Sequence, residues 1–146
     1  VLIGEGYWRT RAHPDYLARK GMPQSLEGLI EHDCIQFILP SSGRAMPWIF
    51  KDREGKDIDY AFRSRLRVLD DALGCITWAC AGGGLFQIYH FIADAAVRRG
   101  ELTEVLQHHG GRARQFSILY PQNRHLSARV RAFVDYLLGA IRAPSA

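Results

Sequence analysis

Apolar positions along this chain recur with two different periods, and the switch between them marks the elements. Behind Ser127, Val130, Phe133, Val134, Leu137, Leu138 and Ile141 fall three or four apart, which predicts a capped amphipathic helix. Ala72, Ile76, Ala79 and Cys80, with Leu73 beside them, predict another helix from Asp71 to the glycines at 82–84. "FIADAAVRRG" reads as a helix closed by Gly100, and "HPDYLARKG" as one with Pro14 in its first turn and Gly21 past its end. Ser25 to His32, "SLEGLIEH", is expected to form a further short helix. Period two appears between these. Trp48 and Phe50, then Ile58, Tyr60 and Phe62, predict two strands around a turn at Asp52–Lys56. Leu66 and Val68 face inward on the next strand, with Arg63, Arg65 and Arg67 outward. Cys34 to Leu39, "LFQIY" and Gln115 to Pro121 complete the expected strands. Strands alternating with helices at this spacing indicate an α/β domain with a mixed sheet.

The three adjacent glycines of "WACAGGGLFQIYHF" pose the first chemical question. A phosphate loop needs a strand, then glycines, then a helix whose N–H groups meet the anion. Here a helix runs into the glycines and a strand follows. The expected role is a left-handed helix end and a close helix–strand approach, not nucleotide binding.

Other chemistry is equally sparse. Cys75 and Cys80 lie five apart and do not share a helix face as paired zinc ligands would. His108 and His109 are adjacent and point apart, and Cys34 opens an apolar strand as an ordinary core thiol does. There is no G-x-S-x-G elbow. No catalytic group, metal site or cofactor is expected, so the chain reads as a binding module rather than an enzyme. The net charge of +4 raises the question of nucleic acid, but the basic residues are scattered rather than gathered on one helix or arm. Three cysteines, an odd number, point away from a disulfide framework and towards a reducing, cytoplasmic setting. No signal peptide or membrane span is read, and a chain of 146 residues beginning with Val is expected to be a fragment.

Three blocks, taken in order, carry a family resemblance. "HPDYLARKGMPQSLEGLIEHDCIQF" resembles the start of the second lobe in the effector-binding domain of LysR-type transcriptional regulators. "LRVLDDALGCITWACAGGGLFQIYHFIADAAVRRGELTEVL" is similar to that family's next block of strand, Asp, helix, glycines, strand and helix. "FSILYPQNRHLSARVRAFVDYLL" resembles its closing strand and helix. The match runs from about His13 to Leu138. Two departures stand out: His13-Pro14 replaces the usual Ser-Pro, and "QIYHF" lacks the family's frequent proline after the strand. The family's winged helix-turn-helix, linker helix and most of its first lobe have no counterpart.

The resemblance implies a periplasmic-binding-protein-like architecture, with a small effector held between two α/β lobes. Residues 1–12 would be a crossover from the first lobe and residues 13–114 the second lobe with its mixed sheet. Residues 115–142 would be the returning strand and helix of the first lobe, and 143–146 a frayed tail. The apolar stripe of that helix is expected to need cover, from its own second lobe or from another copy. Effector contacts are expected from Ser41, Ser42 and Arg44 in "PSSGR", from Asp70 and Asp71, and from Gln87 and Tyr89. Arg44 would hold a carboxylate. Trp48 reads as core or as a stacking wall. The implied partners are a small molecule, DNA through an N-terminal domain not present here, and further copies in a dimer or larger homo-oligomer. A stand-alone solute-binding module is the alternative that the residues leave open.

Overall fold

The protein is described by a computed structural model covering residues 2–120 and 127–142. Pro121, the expected end of the closing strand, and the tail 143–146 lie outside the described residues. The elements run β1 (Leu2–Ala12), α1 (Pro14–Lys20), β2 (Ile35–Ile38), β3 (Trp48–Lys51), β4 (Asp57–Tyr60), β5 (Leu66–Leu69), α2 (Ala72–Cys80), β6 (Phe86–Tyr89), α3 (His90–Arg98), β7 (Thr103–Val105), β8 (Ala113–Ser117) and α4 (Ala128–Arg142). Two compact units result. One is residues 7–113; the other combines 2–6 with the described part of 114–142.

In the larger unit β2 and β5 are parallel, with Ile35 opposite Leu66 and Ile38 opposite Leu69. A parallel bridge between Cys34 and Leu85 sets the start of β6 beside β2. β1 runs antiparallel to β6, pairing Trp8 with Tyr89 and Arg11 with Phe86, and takes β7 on its other side. The sheet is mixed, as the pattern indicates. Alternation sorts its side chains onto two faces. Ile35, Phe86 and Ile88 pack with Cys75 and Ala79 of α2 and Ala93 and Ala96 of α3. Cys34 and Leu85 pack with Tyr16 of α1, Leu29, and Trp48 and Phe50 of the antiparallel β3–β4 hairpin. Trp48 is therefore core, 3% exposed, with its ring against Phe62. Arg63, Arg65 and Arg67 are exposed, while Leu66 and Val68 are half-buried, as their alternation predicts.

Two local expectations need correction, and two strands carry no clear pattern. Residues 2–12 form β1, an eleven-residue strand that pairs with β6, β7 and β8. Its pattern is hidden by Gly4 and Gly6 and by Arg11, which is 5% exposed and reaches Asp94 of α3 at 3.4 Å. The segment after Ser25 is a 3-10 turn over Glu27–Glu31, not an α-helix. Its bonds, Leu29 N–H to Leu26 O and His32 N–H to Leu29 O, span three residues and bury Leu29. The strand expected from Gln115 starts and ends earlier, at Ala113–Ser117. β7 was not foreseen, because three residues with one buried position carry little periodicity.

The glycine run behaves as a bend. Gly82 is left-handed, at φ 77°, and ends α2 with its N–H bonded to Ala79 O. Gly84, at φ 153°, lets the backbone pass against Asp33, where a methyl group would run into the Asp33 carbonyl oxygen. That close approach carries the paired bonds Leu85 N–H to Asp33 O and Ile35 N–H to Leu85 O.

In the smaller unit β8 pairs with β1. Ser127 Oγ accepts from Val130 N–H at 3.3 Å, as its capping position predicts. Along the α4 stripe only Val134 is buried, whereas Phe133 is 61% and Ile141 47% exposed.

Candidate functional site

Parallel strands place their carboxyl ends, and the loops that follow, along one edge. β2 ends at Ile38 opposite Leu69 of β5, so the loop 39–44 and the Asp70–Asp71 turn leave the sheet side by side in register. β6, parallel to β2, ends at the same edge with Tyr89 and passes directly into α3. Three separate stretches singled out in the sequence are thus brought to one edge of the larger unit.

The first loop is held by its own backbone. Leu39 N–H donates to Arg44 O at 2.8 Å, and Gly43 N–H, at a left-handed φ of 64°, donates to Leu39 O at 2.8 Å. Ser42 Oγ accepts from Arg44 N–H at 3.4 Å. Ser41, Ser42 and Arg44 are all exposed, so their side chains face solvent from a closed turn.

Asp70 and Asp71 differ in role. Asp70 is a non-glycine residue with φ 61°, which turns the chain sharply out of β5. Asp71 then caps α2, its Oδ1 accepting from Gly74 N–H at 2.9 Å. Both carboxylates are exposed.

On β6 the two expected contacts part company. Gln87 is 4% exposed, and its amide is fully engaged inside the unit. Oε1 accepts from Ile49 N–H at 2.6 Å, while Nε2 donates to Ile49 O at 3.0 Å and to Thr10 Oγ1 at 3.2 Å. The carboxamide pairs with β3 much as a neighbouring strand would, and ties the hairpin to the sheet. Tyr89 lies two residues nearer the edge, with its ring 4.2 Å from that of Trp8 and stacked at 5.7 Å on Phe91.

One feature of this edge escaped the sequence reading. α3 begins at His90 without a side-chain cap, so its first-turn N–H groups face the edge with their positive end unanswered by a carboxylate. The signal was present, since no Ser, Thr, Asp or Asn stands before the helix. His90 is itself anchored, its Nδ1 accepting from Tyr7 N–H at 3.1 Å.

The thiols are poor nucleophiles. Burial, with Asp33 beside it, pushes Cys34 up to about 12, and burial with Asp71 pushes Cys75 up to about 11. Among the described residues no three His, Cys, Asp or Glu side chains gather as metal ligands would. No described helix is long and apolar enough to cross a membrane.

A mixed α/β unit with polar loops and a helix N-terminus along the carboxyl edge is the form of a ligand-binding lobe of the periplasmic-binding-protein type. The chain matches the family described as LysR substrate binding domain over residues 3–142, and it belongs to that family. This is the effector-binding domain of LysR-type transcriptional regulators, not an enzyme family. The HTH-type transcriptional regulator YhjC of Escherichia coli K12 is 30% identical over 131 residues, covering 90% of this chain and 43% of YhjC. CrgA of Neisseria meningitidis serogroup B is 27% identical over 133 residues, which are 90% of this chain and 42% of CrgA. Among solved structures, the full-length Vibrio cholerae virulence activator AphB superposes with a TM-score of 0.82 at 21% identity, over 96% of this chain and 46% of AphB. The chain thus spans about two fifths of the length of the curated relatives it matches.

Proposed function

We propose that this chain senses a small anionic effector for a LysR-type regulator and receives it at the carboxyl edge of β2, β5 and β6. The observation that carries the reading is the convergence there of the Ser41–Arg44 turn and the uncapped start of α3. Arg44 supplies a solvent-facing cation for a carboxylate, and Ser41 and Ser42 supply hydroxyls. The first-turn amides of α3 supply oriented donors. Asp70 and Asp71 flank the site and repel a second negative charge, which favours an effector with one acidic end and a hydroxyl or amine at the other. Tyr89 contributes an aromatic wall, and Gln87 acts on the site by holding the hairpin in place.

In the whole regulator, residues 13–114 act as the second lobe and 115–142 as the return to the first, whose remaining part covers the exposed α4 stripe. Effector binding stabilises one setting of the lobes over another and so one arrangement of subunits in a homo-oligomer. DNA is contacted through an N-terminal domain, in the cytoplasm.

The test is promoter binding by the full-length regulator with and without its inducer, comparing wild type with Arg44→Gln and with Ser41→Ala/Ser42→Ala. The expected result is normal DNA binding with the inducer response weakened about tenfold or more. An unchanged response in both variants overturns this site.

A further inference from the structure

At the opposite, amino end of β2 and β5 the larger unit contains a cavity of about 400 Å3, lined by residues from the 3-10 turn, the start of β2 and the segment from Tyr60 to Leu66. Such a volume lies within the range of small-molecule pockets, roughly 300–1,000 Å3. No residue of the proposed effector edge lines it.

Its chemistry is two-sided. Leu29, Cys34, Phe62 and Leu66 are buried or half-buried and form an apolar floor. Ile30, at the mouth, is 86% exposed, an apolar side chain left in water beside an apolar cavity. Arg63 and Arg65 also line the cavity, and among the described residues neither is engaged in an ion pair or hydrogen bond. The carboxylate on the lining, Asp33, is already answered by Lys20 at 3.7 Å. The local balance is cationic.

One neutral donor is set in place as well. Asp33 N–H donates to Tyr16 Oη at 2.9 Å, and Tyr16 Oη lies 3.1 Å from His32 Nδ1. The hydroxyl's single proton has Nδ1 beside it as an acceptor, and in that arrangement neutral His32 carries its own proton on Nε2. His32 lines the cavity.

We propose that this cavity is a second small-molecule site, separate from the effector edge, which takes a monocarboxylate with a compact apolar body. The apolar body lies on Leu29, Phe62 and Leu66 and covers Ile30. The carboxylate is held by Arg63 and Arg65, with the imidazole N–H as a further donor. The site does not depend on the proposed role of the carboxyl edge.

Isoleucine methyl NMR on the full-length protein tests it, because β2 and its flanks carry a reporter at each end. The Ile30 methyl, identified by Ile30→Val, sits at the cavity mouth, and Ile38 ends β2 at the other edge. Titration with phenylacetate should shift Ile30 saturably and leave Ile38 in place, while uncharged phenylacetamide should shift neither. The double variant Arg63→Gln/Arg65→Gln should weaken phenylacetate binding about tenfold or more, since both guanidinium groups are unpaired surface cations and the fold does not need them. Ala61→Trp, which plugs the exposed rim, should abolish the Ile30 shift. A static Ile30, an equal response to the amide, or undiminished binding in the double variant overturns the proposal. A shift of Ile38 alone overturns it too and leaves the effector edge standing. An unaffected inducer response in Arg44→Gln would count against that edge without touching this cavity.

Discussion

The two ends of the parallel strands are built by opposite means. At the carboxyl end the loops after β2 and β5 organise themselves locally: Asp71 caps the helix it precedes, and Ser42 accepts from an amide two residues on. At the amino end the organising contacts span long stretches of sequence. Gly84 presses on Asp33, and Tyr16 reaches Asp33 and His32. An edge made of self-contained turns can change its side chains for a new ligand at little cost to the fold. A wall made of distant contacts cannot, and substitution there is felt throughout the unit.

Substitutions should separate the two ends by size. Gly84→Ala is expected to cost the most, on the order of 3–4 kcal/mol, because φ 153° disfavours any side chain and the methyl meets a backbone carbonyl. Urea denaturation measures it, and a loss below 1 kcal/mol would show that the β2–β6 approach yields more readily than its geometry implies.

Tyr16→Phe should follow, at about 2 kcal/mol, since it leaves the Asp33 amide and His32 Nδ1 without their partner. The same relay makes the amino end sensitive to acid. Burial, and then Lys20, hold His32 below its ordinary value of 6.5, outweighing Glu31 and Asp33, which act in the other direction. Below pH 6.5 the unfolded chain therefore binds more protons than the folded one. The stabilisation is present above that pH and is lost as pH falls towards the lowered value. Denaturation midpoints measured between about pH 5 and 8 should decline on the acid side, and His32→Gln should flatten that part of the profile.

At the carboxyl end Asp71→Ala should cost only about 1 kcal/mol, the usual worth of a helix cap. Arg44→Gln should change stability by less than about 0.5 kcal/mol, being an exposed turn residue, while altering ligand response. If Arg44→Gln destabilises as much as Tyr16→Phe, the contrast between the ends collapses.

What could be read from residues alone follows the same division. Helix ends at Pro14, Gly21, Asp71, Gly82 and Ser127 were legible because a cap is written in the residues that form it. The alternation before and along β5 was legible because Arg63, Arg65 and Arg67 face water while Leu66 and Val68 turn towards the core. The order of these elements, with three blocks of residues, was enough to indicate the α/β lobe and its family.

Tertiary structure alone decided the rest. β1 breaks the expected alternation because Arg11 is buried against Asp94, a partner 83 residues away, so no local window could show it as a strand. The alternation of Gln87 left core edge and pocket wall both open, and only packing shows that its amide serves Ile49 and Thr10 from other strands. The cavity under Arg63 and Arg65 exists only because the 3-10 turn, the start of β2 and the approach to β5 meet in space. Periodicity and capping are properties of neighbours along the chain. A wall, a buried arginine and a side chain that completes another strand depend on which segments come together, and only the packed sheet determines that.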